Sequence, residues 1–399
     1  MSTNKWKNYI NPVVRDIPPS GIRRFFDLAA EMEGIISLGV GEPDFVTPWH
    51  IREACIYSLH KGSTTYTSNH GLLELREEIA NYLSGQGVRY DPRKELLVTV
   101  GVSEALDLAL RTVVSPGDEV IIPTPCYVSY IPCTTLAGGV PVTVATSMED
   151  RFRLTADKLE AVITPKSKVL LLCFPNNPTG AVMDRESLLQ IAEVVQKHDL
   201  LVISDEIYDR LTYTGEHTCF ASLPGMWERT IVLNGFSKAY AMTGWRLGYA
   251  AAHEDFIAAM TKIHQYTMLC APITAQVSAL EALRNGKSAM ESMVAHYNRR
   301  RRLVLQGFKE IGLPCFEPGG AFYAFPYIGD TGLTAAEFAE NLLLEEKVAV
   351  IPGDVFGPGG EDCIRCSYAS SVEDLTEAIK RMGRFIKTRG LDKVKRIYA

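Results

Sequence analysis

The stretch "KVLLLCFPNNPTGAVMDRESLLQIAEVVQKHDLLVISDEIYD" (Lys168–Asp209) indicates the fold of this chain. It begins with one continuous apolar run, "KVLLLCFP", and ends with another, "LLVISDE". Between them, "RESLLQIAEVVQKH" carries apolar residues at helical spacing, and Asp184 is placed to cap its first turn. Apolar, β-rich runs on both sides of an amphipathic helix predict two parallel strands joined by a helix.

The same alternation of short apolar runs and helical stretches begins at about residue 95. Further strands are predicted at "LLVTVG", "EVIIPTP", "VPVTVA", "TIVLNGF" and "RLGYAAA". The tail differs, because the long helical pattern "AMESMVAHYNRRRRLVLQGFKEIG" is followed by shorter strands and two more helices. We therefore predict an α/β fold: a large domain with a mainly parallel central sheet flanked by helices, and a smaller α+β domain.

Composition argues against several classes of protein. The 399 residues carry a net charge of −6, which disfavours general binding to nucleic acid or to anionic membranes. The sequence shows neither a membrane-span-length apolar run nor a signal-peptide core, and its nine cysteines lack the pattern of a metal site. We expect a cytoplasmic protein with free thiols and no metal. The run "RRRR" (Arg299–Arg302) lies in a helical pattern and is predicted to be a solvated face.

Four unusual stretches fall where predicted strands end. They are "GVSEAL" (Gly101–Leu106), "FPNNPTG" (Phe174–Gly180), "SDEIYD" (Ser204–Asp209) and "SK" (Ser237–Lys238). In parallel sheets the carboxyl ends of the strands share one edge, and ligands bind there. We therefore expect the four stretches to converge on one ligand.

Two of these stretches suggest an aldehyde and a phosphate. Lys238, partly desolvated and near another cation, would have a lowered pKa and could form a Schiff base with an aldehyde. Arg246 and Ser237, together with the free N–H groups of the helix opened by "GVSEAL", would bind a dianionic phosphate.

The other residues suggest a flat ring with a basic nitrogen. Asp205 ends an apolar strand, where a bare charge is costly, and a protonated ring nitrogen would be a suitable partner. Tyr208 and Asn177 could hydrogen-bond the same ring, and Tyr127 could stack on its face. An aldehyde, a phosphate, a basic ring nitrogen and a flat ring together describe pyridoxal phosphate (PLP).

Ordered motifs over nearly the whole chain resemble those of PLP-dependent aminotransferases of fold type I, in the class I/II family. They are "SLGVGEPDF" (Ser37–Phe45), "YTSNHG" (Tyr66–Gly71), "PNNPTGAV", "SDEIYD", "SKAYAMTGWRLGY" and "IRCSYA" (Ile364–Ala369). The resemblance implies a large PLP domain and a small domain built from both chain ends. We accordingly predict a large domain over residues 46–290 and a small domain from residues 1–45 and 291–399.

The resemblance also implies catalytic roles. Lys238 would be the Schiff-base lysine and would shuttle a proton between the substrate Cα and the cofactor. Asp205 would pair with the pyridine nitrogen and keep it protonated, which makes the ring an electron sink. Tyr208 and Asn177 would contact the phenolic oxygen of the ring.

Further residues would bind the phosphate and the substrate. Ser237, Arg246 and the backbone N–H groups of Val102 and Ser103 would bind the phosphate. Tyr66 would reach the phosphate of the neighbouring subunit, which implies a homodimer with shared active sites. In the same family pattern, Arg365 would clamp the substrate α-carboxylate, assisted by Asn177 and the Gly39 backbone.

The same set of PLP-binding residues serves several reactions in related proteins. Transcription regulators with this domain carry a winged helix before it, and the motif that begins at residue 37 leaves no room for one. Transamination fits best, because Arg365 and "GEPD" both match the aminotransferases among the enzymes of this family. We expect a ping-pong reaction between an L-amino acid and 2-oxoglutarate. The favoured donors are aromatic amino acids or a broad range of amino acids.

The amino acid itself stays open. Some aspartate-selective relatives place a lysine in the motif that here reads "GVSEAL", where this chain has Ser103. Arg23 or Arg24, in "IPPSGIRRFFDLA", could meet a second carboxylate. An N-acyl-diaminopimelate or aspartate aminotransferase and a PLP carbon–sulfur lyase are the alternatives.

Overall fold

The computed structural model describes residues 6–22 and 32–390. The strands are, in chain order, β1 Ile36–Ser37, β2 Leu96–Thr99, β3 Glu119–Thr124, β4 Val140–Ala145, β5 Ser167–Cys173, β6 Leu201–Asp205, β7 Thr230–Gly235, β8 Gly248–Ala251, β9 Tyr323–Ala324, β10 Val348–Ala349, β11 Ile351–Pro352 and β12 Ile364–Ser367. The α-helices are α1 Pro12–Asp16, α2 Trp49–His60, α3 Leu73–Ser84, α4 Gly101–Val113, α5 Tyr130–Leu136, α6 Ala156–Glu160, α7 Arg185–Lys197, α8 Glu254–Thr267, α9 Ile273–Asn285, α10 Lys287–Glu310, α11 Ala335–Glu346 and α12 Val372–Thr388.

A seven-stranded sheet with the order β2-β8-β7-β6-β5-β3-β4 forms the centre of the molecule. Every strand in it was predicted from an apolar run, and Asp184 caps α7 as expected, its carboxylate accepting from the Ser187 N–H at 2.9 Å. Successive residues of β5 pack on opposite faces: Leu171 lies in the cluster with α4 and α8, and Leu170 lies in the cluster with α7. Helices therefore cover both faces, and the predicted α/β class is confirmed.

One strand of this sheet runs against the others. β8 pairs antiparallel with both β7 and β2, which places Gly248 opposite Gly235 and Thr99. β5, β6 and β7 pair in parallel and end together, with Cys173 opposite Asp205. The residues that precede β8 therefore lie at the same edge as the residues that follow β2, β5, β6 and β7.

The tail forms smaller sheets that include the N-terminal segment. β11, β12 and β9 make an antiparallel sheet, and β1 pairs in parallel with β10. Arg300 of α10 also donates two hydrogen bonds to the Asp44 carboxylate, at 2.7 and 2.8 Å. These contacts support the division into residues 46–290 and residues 1–45 with 291–399, which we retain as a proposal.

The prediction of a solvated face for the arginine run is wrong for two of its residues. Arg299 and Arg302 are exposed, but Arg300 and Arg301 are buried. Asp44 compensates the charge of Arg300, and Glu317 compensates that of Arg301 at 2.8 Å. The helical pattern alone does not reveal acidic partners that are distant in the chain.

The cysteines and the helix lengths complete the description. All nine cysteines are within the described residues and are unpaired, as predicted. Within the same residues, none of the helices combines the length and apolarity that a membrane span requires. No cluster of three or more His, Cys, Asp or Glu side chains suited to a metal ion occurs in the described ranges.

Candidate active site

A cavity of about 330 Å³ opens at the edge where the parallel strands end. It brings together the predicted site residues Val102, Ser103, Tyr127, Asn177, Asp205, Tyr208, Ser237, Lys238, Arg246 and Arg365. Because β8 is antiparallel, Arg246 enters from the same side as Ser237 and Lys238. The four stretches singled out from the sequence therefore surround one space.

Lys238 follows β7 and projects into this cavity. Its Nζ donates a hydrogen bond to the Gly41 carbonyl at 2.6 Å. Burial, followed by the nearby Arg365 guanidinium, lowers the pKa of the amine to about 8. A sizeable fraction of the amine is therefore neutral at physiological pH, and the neutral amine is the form that attacks an aldehyde.

Asp205 is a buried carboxylate with neutral hydrogen-bond partners. Its Oδ2 accepts from the Tyr130 hydroxyl at 2.8 Å, and its Oδ1 accepts from the Ile207 N–H at 3.2 Å. Burial raises the pKa of the carboxyl to about 6. It makes no ion pair with any residue in the described ranges, so a cationic ligand would relieve the cost of its charge.

The start of α4 is open to an anion. The first N–H groups of any α-helix lack an intrahelical partner, and Val100, which precedes this helix, has no side chain to cap them. Gly101 has a φ of +74°, and a Cβ there would lie 2.8 Å from the Arg246 guanidinium. A Cβ on Gly248 would lie 2.7 Å from the Val102 nitrogen. The glycines therefore let Arg246 and the helix N-terminus converge, as phosphate binding requires.

Arg365 is a second buried cation, in β12. Its guanidinium donates to Asn177 Oδ1 at 2.9 Å and to the Gly39 carbonyl at 2.6 Å, and only 3% of the residue is exposed. The Nε has no hydrogen-bond partner in the structure, and no described carboxylate pairs with the side chain. The arginine therefore has an oriented fork and an uncompensated charge, which suit a carboxylate ligand.

Two aromatic residues of the site were not predicted from the sequence. Tyr130 donates to Asp205, and the Tyr323 hydroxyl lies 2.8 Å from the Tyr208 hydroxyl. The ring of Tyr130 also meets that of Tyr127 edge to face, with centroids 5.6 Å apart. Tyr130 lies three residues after Tyr127, across the turn that leads into α5, and this short spacing could have indicated that the two rings are close. Tyr323 carried no comparable signal, because its partners are far away in the chain.

Four predicted residues lie outside the cavity or outside the described chain. Gly39 is reached through its carbonyl, which orients Arg365. Tyr66 is 80% exposed and does not line the cavity of its own chain. Arg23 and Arg24 are outside the described residues.

The residues present fit PLP. Asp205 is a buried carboxylate that has no ion-pair partner among the described residues, Lys238 is an amine of lowered pKa, and an arginine faces an open helix N-terminus in the same cavity. These groups match the ring nitrogen, the aldehyde and the phosphate of the cofactor. The fold and the site therefore define a PLP-dependent enzyme of fold type I.

Comparisons with known proteins identify the family. The family model of aminotransferase class I and II matches residues 33–382, so the chain belongs to this family, whose members depend on PLP. A Bacillus subtilis protein, YugH, whose name describes it as an aminotransferase, is 58% identical over 95% of this chain and 98% of its own. The aspartate aminotransferase of Pyrococcus abyssi is 48% identical over 94% of this chain and 97% of its own.

A solved structure agrees with this assignment. The aromatic aminotransferase from Pyrococcus horikoshii OT3 is 47% identical, with a TM-score of 0.89 over 93% of this chain and all of that chain. The predicted family, fold and cofactor are thus confirmed, and this chain is an aminotransferase that acts on amino acids and oxo acids.

Proposed function

We propose that this aminotransferase moves the amino group of an L-amino acid, with aromatic side chains preferred, to 2-oxoglutarate in a ping-pong reaction. The observation that carries this proposal is the distribution of charge in the cavity. Within the described part of the chain, the cations that line it are Lys238, Arg246 and Arg365. Each has a role in binding the cofactor or the α-carboxylate, so none of these three is left for a side-chain carboxylate, and the second carboxylate of 2-oxoglutarate needs a cation from elsewhere in the chain.

The cofactor and the lysine would share the chemistry. When bound, PLP supplies an aldehyde carbon that takes up amino groups and a ring that accepts electrons. Lys238 would hold the cofactor at that aldehyde through its neutral Nζ, with loss of water. Its Nζ, set free when the amine of a substrate takes its place, would accept the proton from the substrate Cα. The Gly41 carbonyl, which accepts from Nζ, holds the amine in the cavity.

The remaining residues would hold the cofactor. The Asp205 carboxylate would face the ring nitrogen and favour its protonated form, while Tyr130 and the Ile207 N–H keep the carboxylate in place. Ser237, Arg246 and the N–H groups of Val102 and Ser103 would bind the phosphate, as the family pattern implies. Tyr127, Asn177 and Tyr208 would contact the ring.

Arg365 would bind the α-carboxylate that all amino acids and oxo acids share. Both substrates use one pocket in turn, so the common group is the natural handle. The Asn177 and Gly39 oxygens already orient the guanidinium, which reduces the ordering that substrate binding must impose.

The walls of the cavity support the aromatic preference. Ile22, Tyr127 and Tyr323 line it and offer apolar and aromatic surface. Arg23 and Arg24 follow Ile22 in the chain, and we propose that one of them meets the second carboxylate of 2-oxoglutarate. Aspartate is the second candidate substrate, because the relative from Pyrococcus abyssi is an aspartate aminotransferase.

A panel of amino donors tests the preference. The protein loaded with PLP is mixed with one amino acid at a time, and the change in cofactor absorbance gives the rate of each half-reaction. We expect phenylalanine and tyrosine to give larger rate constants per unit concentration than aspartate. A tenfold advantage for aspartate contradicts the preference and leaves the aminotransferase assignment intact.

We also propose a homodimer in which Tyr66 serves the neighbouring site. Support comes from its position, because it is exposed and lies outside the cavity of its own chain. A dimer of one Lys238→Ala subunit and one Tyr66→Phe subunit would contain one site with both native residues, Lys238 from the second subunit and Tyr66 from the first. Mixing should therefore raise activity above that of Tyr66→Phe alone, and an active monomer in sedimentation contradicts the proposal. The cytoplasmic location stays a prediction from the sequence.

A further inference from the structure

Tyr323 lies where three parts of the active site meet. Its hydroxyl is 2.8 Å from the Tyr208 hydroxyl, and the Arg365 guanidinium carbon is 4.6 Å from the centre of its ring. A Cβ added to Gly41 would lie 2.7 Å from the Tyr323 hydroxyl, so this side chain also packs on the backbone whose carbonyl accepts from Lys238. The residue is fully buried.

We infer that Tyr323 is a positioning residue with two separable parts: its hydroxyl directs the hydrogen bond of Tyr208 to the cofactor, and its ring supports the carboxylate-binding arginine, Arg365. The inference rests on the proposed function, in which Tyr208 contacts the phenolic oxygen of PLP. It assigns a role to a residue on β9, a strand outside the seven-stranded sheet.

The direction of the hydrogen bond follows from a count of protons. Burial raises the pKa of both phenols, so both hydroxyls are protonated at neutral pH. Their mutual bond uses one proton, and the other is left for a ligand in the cavity that both residues line. When Tyr208 donates to the cofactor, Tyr323 must donate to Tyr208. A hydroxyl that accepts a hydrogen bond becomes a stronger donor, so Tyr323 strengthens the contact with the phenolic oxygen.

The ring of Tyr323 acts on the arginine. Two guanidinium nitrogens donate to oxygens of Asn177 and Gly39, which leaves the tilt of the planar group to its neighbours. The Tyr323 ring and the Phe356 ring, at 4.6 and 4.9 Å from the guanidinium carbon, both contact it. Contacts of this kind favour a fixed cation position and hold the fork ready for a carboxylate.

Two substitutions separate the two parts. Tyr323→Phe removes the hydroxyl and keeps the ring, whereas Tyr323→Leu removes both. The matched control is Tyr368→Phe, a buried tyrosine outside the cavity whose hydroxyl donates to the Ala321 carbonyl at 3.2 Å. Each protein is loaded with PLP, and the pH midpoint of the change in cofactor absorbance is measured. The affinity for 3-phenylpropionate, a carboxylate without an amino group, is measured by titration.

The expected pattern differs between the variants. A weaker donation from Tyr208 destabilises the deprotonated form of the bound cofactor, so Tyr323→Phe should raise the pH midpoint by roughly 0.1 to 0.7 unit, which is about 10–30% of a hydrogen bond to a charged group. Its affinity for 3-phenylpropionate should stay within about twofold of wild type. Tyr323→Leu should also weaken that affinity by about tenfold, a value between those of exposed and of desolvated cation–π contacts. The control should change neither quantity.

The outcomes that overturn the inference are distinct. An unchanged midpoint in Tyr323→Phe, or an equal shift in the control, shows that the hydroxyl does not act through Tyr208 and overturns the inference. The Tyr323→Phe arm decides this point even if Tyr323→Leu does not fold. A wild-type protein without a cofactor absorbance band overturns the proposed function and this inference with it, whereas a normal wild-type band with unresponsive variants overturns the inference alone.

Discussion

Replacing Arg365 by lysine keeps a positive charge in the cavity and removes the planar fork. In the structure the arginine is buried, its two terminal nitrogens are oriented by Asn177 and Gly39, and no described carboxylate neutralises it. A substrate carboxylate would therefore form a well-desolvated pair with it. Disrupting a pair of this kind costs about 2–4 kcal/mol of binding, which corresponds to roughly 30- to 1,000-fold in rate constant per unit concentration.

Both half-reactions must be measured for Arg365→Lys. Stopped-flow absorbance of the loaded protein with an amino acid, and of its amino form with an oxo acid, gives the two rate constants. Both should fall by a similar factor, because both substrates present the same carboxylate, while the affinity for PLP should stay unchanged. Arg301→Lys is the matched control, since Arg301 is also buried but pairs with Glu317 outside the cavity.

Either of two results would contradict the proposed role of Arg365 in binding the substrate carboxylate. Loss of PLP from Arg365→Lys would mean that the arginine maintains the cofactor site. Wild-type rates in both half-reactions would mean that the arginine is structural and that the carboxylate is bound elsewhere, with Arg23 and Arg24 as the next candidates.

Three other predictions follow from the same cavity. The rate at which PLP attaches to the apoprotein, followed by borohydride trapping and peptide mapping, should rise with pH and level off above a midpoint near 8, because only the neutral amine of Lys238 reacts; a rate that still climbs above pH 10 would indicate an ordinary lysine pKa. A carboxyl whose pKa is raised on folding destabilises the folded state above its folded pKa, which is about 6 for Asp205. In urea titrations, the apoprotein with Asp205→Asn should therefore have a free energy of unfolding up to about 3 kcal/mol larger than wild type above pH 6, and an equal one below pH 4. A smaller free energy of unfolding for the variant at pH 8 contradicts this. Gly101→Ala should weaken PLP binding by at least about tenfold, since the added carbon meets Arg246, whereas Gly244→Ala, where a Cβ meets nothing within 4 Å, should bind PLP normally in the same fluorescence titration.

Local patterns were sufficient for most of the fold. The apolar runs of the large sheet and the cap at Asp184 depend on neighbours in the chain, and each was found where predicted. The rule for parallel sheets was also sufficient to bring Asn177, Asp205 and Lys238 to one cavity. The family's roles for Tyr66, Arg365 and Gly39 came from resemblance, because no local pattern distinguishes them from ordinary packed or exposed residues.

What the sequence by itself determined, then, is the alternation of strands and helices and the set of polar residues at the strand ends, since both follow from periodicity within short windows. The tertiary structure decided the rest. The antiparallel pairing of β8 brings Arg246 to the shared edge, and Tyr130 and Tyr323 reach Asp205 and Tyr208 from elements remote in the chain. Such contacts depend on how packed elements approach one another in space, and a pattern of neighbouring residues carries no record of that approach.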